Sequence, residues 1–236
     1  MSTKDELRSK IWQLMEEREA GAFPFPLKGR IPNFKGSHDA ARKVRELEEW
    51  QRAKTVKANP DAPQLKVREL ALVDGKRLFM AVPRLRDQHP FREIIPPGNT
   101  KPRKAVSIKG SQKYGKPRSM EELPEIDLII TGSVAVHRDR RRLGKGGGYS
   151  DIEFALAQEH GKITERTTIV TTVHPLQVAE EEIPFEDHDI PLDYIITPEE
   201  IIETKTGYQR PIGILPEILS DSYREEIPVL KQMLSN

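Results

Sequence analysis

Residues 140–153, RRRLGKGGGYSDIE, carry the densest chemistry in the chain. Three arginines run into a glycine run that encloses Lys145, and Tyr149, Ser150 and Asp151 follow. Glycine costs backbone entropy when it is ordered, so a segment this rich in it needs a compensating interaction. A bound anion supplies one. Glycines let backbone N–H groups approach an anion closely, and a helix starting just after them adds partial positive charge. With Arg140, Arg141, Arg142 and Lys145 adjacent, polyphosphate is the ligand that fits. Asp151 is too near such phosphates to be simply another anion, and a magnesium ion between them would relieve the repulsion. Two common phosphate motifs are excluded. The G-x-x-x-x-G-K-[ST] loop fails because Lys145 precedes Gly146, and G-x-G-x-x-G fails because its third glycine would fall at Tyr149. A solvated turn with surface arginines remains the alternative at this point.

The flanking elements favour a site. The run EIDLIITGSVAV is continuously apolar, as expected for a strand covered on both faces. SDIEFALAQEHG has helical spacing and Gly161 as its stop. Ligands of α/β sheets bind beyond the carboxyl ends of strands, in such turns. Elsewhere the pattern predicts a first helix capped by Ser2 or Thr3, with Leu7, Ile11, Leu14 and Met15 inward and an end at Gly21. A punctuated stretch, AFPFPLKGRIPNFKGS, comes next, and then a helix capped by Ser37 that runs through HDAARKVRELEEWQRA. KTVKAN, APQLKVRELALVDG and RLFMAVP read as strand, helix, strand, the unit of a parallel sheet. Residues 84–120 read as long ordered loops. TTIVTTVH is a buried strand, DYIIT a last strand turning at Pro198, and the tail short helices. Nothing demands a domain boundary, so residues 1–236 are expected to form one domain, with residues 1–50 as a helical flank.

Bulk numbers narrow the classes. The 236 residues are 36% hydrophobic and 32% charged, with a net charge of +1. That balance argues against a nucleic-acid or acidic-membrane partner. There is no cysteine, so disulfide and thiolate chemistry are excluded. No apolar run approaches the ~20 residues of a membrane span, and the charged start MSTKDELRSK lacks a signal-peptide core. A cytoplasmic protein is expected.

RLGKGGGYSD resembles the R-L-G-x-G-x-G-Y-Y-D signature of the 5-formyltetrahydrofolate cyclo-ligase (methenyltetrahydrofolate synthetase) family. KDELR, KRLFMAVPRL, PEIDLIITGSVAV and HPLQVAEEEIPFEDHDIPLDYIIT are similar to other family segments in the same order. The two long insertions, FPFPLKGRIPNFKGS and GNTKPRKAVSIKGSQKYG, resemble the methenyltetrahydrofolate synthetase domain-containing branch. That branch can carry an added RNA-binding domain, for which the chain is expected to be too short.

The resemblance implies an α/β fold, three-layer, with a mixed or parallel sheet between helices (NagB/RpiA/CoA transferase-like). It implies ATP and Mg²⁺ as cofactors, a reduced folate as substrate, and a ligase forming 5,10-methenyltetrahydrofolate with release of ADP and phosphate. By the same resemblance, Lys4, Arg8, Arg142 and Lys145 are the catalytic cations, Lys4 and Arg8 lying one helical turn apart. Gly144, Gly146, Gly147, Gly148, Tyr149 and Ser150 hold the nucleotide, and Asp151 is the magnesium ligand. The signature's second tyrosine is Ser150 here, and Ile152 replaces the arginine that commonly follows the aspartate. A second reading is a nucleotide-binding relative acting on another heterocyclic cofactor. A third, a nucleic-acid module using the basic residues 101–118, is disfavoured by the charge balance.

Other residues carry weaker expectations. His174 and the two tryptophans are expected to serve packing, and His188 and Asp189 a structural or ligand-proximal role. Phe34 is expected either to line a pocket or to cover the sheet.

Overall fold

The computed structural model describes residues 2–204 and 207–234. Helix α1 (Lys4–Glu17) opens the chain with a capping box. Thr3 Oγ1 accepts from the Glu6 amide, and the Glu6 carboxylate accepts from the Thr3 amide at 2.7 Å. The helix stops four residues before Gly21, because the chain turns at Glu19 with φ 49°. Gly21 instead bridges to Phe34, where a Cβ would meet Leu27 at 2.7 Å. The expected second helix is divided. Gly36, with φ 87°, is its N-cap, and Ser37 is the first helical residue. Helix α2 (Ser37–Lys43) passes through a 3-10 turn into α3 (Glu48–Arg52), because Leu47 takes an extended conformation between them.

Strands β1 (Thr55–Ala58) and β2 (Arg77–Ala81) flank α4 (Leu65–Val73) and pair in parallel, the expected unit. Residues 84–120 hold more structure than expected: β3 (Phe91–Ile94), α5 (Pro102–Ala105), α6 (Ile108–Tyr114) and β4 (Gly115–Arg118). Pro117 is tolerated within β4 because that strand is the sheet's edge. The best strand, β5 (Leu128–Thr131), leads into a small hairpin of β6 (Ala135–Val136) and β7 (Arg142–Leu143), and then into α7 (Tyr149–Glu159). Strands β8 (Thr168–Thr172) and β9 (Tyr194–Ile196) follow. β9 turns back as β10 (Ile201–Glu203), a strand the pattern did not resolve. The tail forms α8 (Asp221–Glu226) and α9 (Pro228–Leu234).

The eight-stranded sheet runs β10-β9-β8-β5-β1-β2-β3-β4, with β9, β8, β5, β1 and β2 parallel and the edges antiparallel. It is a mixed α/β sheet with apolar layers on both sides. Alternation decides which side chain enters which layer. Val56, Ala58, Leu78, Met80, Leu128 and Ile130 pack with α1–α4, whereas Phe79, Ile129, Ile169 and Ile195 pack with α7. The N-terminal helices belong to the α4 layer. Phe34 is 1% exposed within it, so it covers the sheet and lines no pocket.

β1 and β5 are neighbours in the sheet. Beyond β1 the chain turns into α4 on one face, whereas beyond β5 it passes through the β6–β7 hairpin, packed beside α1, before it enters α7 on the other face. The two segments part beyond the carboxyl ends of their strands, and a crevice opens there.

Candidate functional site

A cleft of about 860 Å³ occupies that crevice. Its floor is made by Asn59, Pro60 and Asp61 after β1 and by Gly132 after β5. The glycine segment and the start of α7 form one wall, and α1 presents Lys4 and Arg8 across from it. Every residue that the family resemblance assigns to the site lines this cleft: Lys4, Arg8, Arg142, Gly144, Lys145, Gly146, Gly147, Gly148, Tyr149, Ser150 and Asp151.

The glycine segment is held at both ends. Arg8 Nε donates to Gly144 O at 2.8 Å. Tyr223 Oη donates to Gly147 O at 3.0 Å, and its ring meets Tyr149 edge-on at 5.4 Å. Gly146 (φ 96°) and Gly148 (φ 59°) take the left-handed conformation that side chains resist. Gly148 is the N-cap of α7, and a Cβ there would meet Tyr223 Oη at 3.0 Å.

The three arginines part company. Arg140 pairs with Asp193 at 2.7 Å and donates to Leu192 O. Arg141, 3% exposed, is bound by Asp139 and Ile183 O. Both brace the hairpin, and neither lines the cleft, contrary to the expectation that all three serve an anion. Arg140 lies in the hairpin's turn with φ 86°, which takes it out of any alternation, and of the adjacent pair Arg141 and Arg142 only Arg142 faces the cleft. It donates to Gly132 O at 2.9 Å and to Asp151 at 2.8 Å, while its Nε, although buried, has no partner among the described residues.

The other cleft cations are also matched by carboxylates. Lys4 lies 2.7 Å from Asp189 and 3.2 Å from Glu186. Arg8 pairs with Asp5 at 2.5 Å. Lys145 is 3.3 Å from Asp61 and half exposed, the loosest of these contacts. Arg84, at the rim with φ 57°, has no hydrogen bond or ion pair among the described residues. Burial pushes the carboxyls of Asp151 and Glu153 above the ordinary range, with Arg142 and Lys57 pulling the opposite way. Asp151 thus has a protein-borne counter-charge, which answers in another way the repulsion that suggested magnesium. Among the described residues no group of three or more His, Cys, Asp and Glu is gathered to hold a metal ion. The donor set fits an ion that arrives with phosphates and takes only one or two carboxylates, the usual mode for magnesium.

Sequence reasoning missed several cleft residues. The pattern reads Asn59 as the end of the strand KTVKAN and Asp61 as part of the break before a helix, although NPD falls at that strand's carboxyl end. Tyr223 and the apolar Ile214, Leu215 and Leu219 come from the tail, which carries no motif. Residues 97–118 line none of it, and of the long stretch after Gly21 only Gly29 and Ile31 do. His174 serves packing: its Nδ1 accepts from the Leu176 amide, and its ring meets Phe34 edge-on. Trp12 and Trp50 are core residues. Asp189, paired with Lys4, and His188 both line the cleft.

The sheet is of the mixed α/β class, with a cation-lined cleft at the carboxyl ends of its strands and a glycine loop entering a helix beside it. The chain belongs to the 5-formyltetrahydrofolate cyclo-ligase family, whose model matches residues 1–198. A methenyltetrahydrofolate synthase domain-containing protein of Mus musculus is 38% identical over 234 residues, covering 98% of this chain and 63% of that protein. The chain thus spans somewhat less than two thirds of such relatives. The 5-formyltetrahydrofolate cyclo-ligase of Escherichia coli (strain K12) is 34% identical over 86 residues, 36% of this chain and 44% of that one. Among solved structures, the 5,10-methenyltetrahydrofolate synthetase of Aquifex aeolicus shares the fold, with a TM-score of 0.54 at 19% identity over 87% of this chain and 95% of that one. No helix among the described residues is long and apolar enough to cross a membrane.

Proposed function

We propose that the cleft binds ATP and a reduced folate, and that the protein converts 5-formyltetrahydrofolate to 5,10-methenyltetrahydrofolate. The formyl oxygen takes the γ-phosphoryl group of ATP, and ADP departs. N10 then attacks the activated carbon, phosphate leaves with the former formyl oxygen, and the ring closes. The substrate supplies both nucleophiles, so the protein needs to position groups and neutralise charge.

The observation that carries this reading is the convergence of Lys4, Arg8, Arg142 and Lys145 on one glycine loop at the sheet's switch point. Glycine N–H groups and the α7 N-terminus hold phosphate oxygens. Lys145, loosely tied to Asp61, swings onto them first. Lys4 and Arg142 exchange carboxylate partners for phosphate, an exchange between like ligands that costs little desolvation. The unpartnered Nε–H leaves Arg142 a donor to spare. Arg84, without a hydrogen bond or ion pair among the described residues, meets an anionic end of the substrate at the rim. Asp151, with Asp61 opposite, would hold magnesium, which offsets phosphate charge when bound. The two apolar layers on one sheet support reading residues 1–236 as one domain, which the family resemblance assigns to the NagB/RpiA/CoA transferase-like architecture.

The test is direct. The protein is incubated with 5-formyltetrahydrofolate, Mg²⁺ and ATP while methenyl absorbance is followed. ATP-dependent product is expected. ATP binding without product would instead favour the second reading, a nucleotide-binding relative serving another heterocycle. Ser150 and Ile152, beside Asp151 where the signature differs, are the observation behind that alternative.

A further inference from the structure

Ser150 sits where the family signature has its second tyrosine, and the structure gives the smaller side chain a fixed polarity. The cause begins on β1. Alternation turns Lys57 away from Val56 and Ala58 and toward α7, where its ammonium is 4% exposed and paired with Glu153. Lys57 Nζ also donates to Asn59 Oδ1 at 2.6 Å. An ammonium carries donors and no acceptor, so the amide of Asn59 has one orientation, oxygen toward Lys57 and nitrogen away. That nitrogen donates to Ser150 Oγ at 3.2 Å. The serine oxygen is thus used as an acceptor, and its proton is left over. The Ser150 hydroxyl makes no other hydrogen bond among the described residues, and the residue lines the cleft at the second position of α7.

We propose that the Lys57–Asn59–Ser150 chain fixes the Ser150 hydroxyl as a hydrogen-bond donor to a ligand oxygen in the cleft, with Asn59 as the positioning residue. Resting on the function proposed above, that oxygen belongs to a phosphate. A hydroxyl with a free rotor divides its time between donating and accepting. One already accepting from an amide offers its proton alone, and a phosphate oxygen, which can only accept, is the partner that matches. The device links an ion pair buried beneath the sheet to the ligand without moving any charge.

A double-mutant cycle read by calorimetric Mg-ATP affinity tests it. Ser150→Ala is expected to weaken binding about tenfold, the scale of one hydrogen bond to a charged acceptor. Ser150→Thr keeps the hydroxyl and recovers most of that loss. Asn59→Asp replaces the NH₂ donor with a carboxylate that attracts the serine proton away from the ligand, so it too weakens binding. Adding Ser150→Ala to Asn59→Asp is expected to cost little more than Asn59→Asp alone, because the proton has already been withdrawn. If the two losses multiply, or if Ser150→Ala binds as tightly as the wild type, the proposal is overturned while nucleotide binding stands. If the wild-type protein binds no Mg-ATP, the function reading itself fails and this one with it. Melting curves of each variant separate lost binding from lost folding, and Ser150→Ala, at the cleft wall, is expected to melt as the wild type does.

Discussion

At the scale of single residues, the cleft cations differ by how firmly the protein already holds them. Lys145 is half exposed and tied only to Asp61, so Lys145→Ala is expected to weaken Mg-ATP binding about tenfold while leaving the melting temperature alone. Arg142→Met removes the counter-charge of Asp151 as well. Its effect on stability is expected to be large, about 3 kcal/mol, the scale for orphaning a buried carboxylate. Asp151→Asn should weaken Mg-ATP binding too; unchanged affinity in both Lys145→Ala and Asp151→Asn would remove the phosphate assignment. Gly148→Ala forces a side chain into φ 59° against Tyr223, and denaturant unfolding is expected to register a loss of about 1–2 kcal/mol. These positions were legible in the sequence because their types are rare together. Arg140 and Arg141 show the limit. Identity and adjacency placed all three arginines in the site, but the hairpin's turn at Arg140 and the opposite facing of Arg141 and Arg142, neither visible in RRR, sent two of them to Asp193 and Asp139.

At the scale of elements, apolar runs were read well wherever both faces are covered, as for β5, whose four residues are all buried. The antiparallel edge was not. β3 and β4 lie in Pro- and Gly-rich sequence that looks like loop, and their order comes from cross-strand partners. Arg77 on β2 and Arg118 on β4 both grip Glu93 on β3, each through an Nε contact at 2.8 Å. Glu93→Gln is expected to cost about 2 kcal/mol in denaturant unfolding and to loosen this edge first in hydrogen exchange. The tail's short helices were legible, but its place at the cleft was not. It has no motif, and it earns its place only by meeting the glycine segment. Tyr223→Phe, which removes a single hydrogen bond to Gly147 O, is expected to weaken nucleotide binding about fivefold with little change in melting temperature.

At the scale of the whole molecule, pH dependence follows from two opposed sets of carboxylates. Pairing holds Asp74 below its usual value of 3.8, with the Arg45 hydrogen bond as the largest contribution. Burial would raise Glu93 and Asp139, but their arginine partners outweigh it and both lie low. A lowered folded-state value means stability that is present above the unfolded value and lost as pH falls through the folded one. The melting temperature is therefore expected to fall as pH drops below about 4.5, where unfolded glutamates begin to protonate. The combined variant Asp74→Asn, Glu93→Gln, Asp139→Asn should start lower and flatten that limb. Asp151 and Glu153 are raised, so their contribution has the opposite sign: it is present at low pH and lost as pH climbs through their folded values. Glu153→Gln should therefore alter the limb above 4.5 and leave the acid limb in place.

The loop that joins β7 to α7 lies in the middle of the chain, yet it is tied to residue 8 on one side and residue 223 on the other. Synthesis delivers these anchors far apart in time. A nascent chain that has just exposed its glycines already has α1 to meet Gly144, but nothing to meet Gly147 until the tail emerges. The pocket is thus among the last features to mature, and occupancy reports that translation has passed residue 223. The same tether gives a readout after folding: nucleotide should slow protease cleavage within residues 207–223, and clipping there should release ligand while the sheet stays intact.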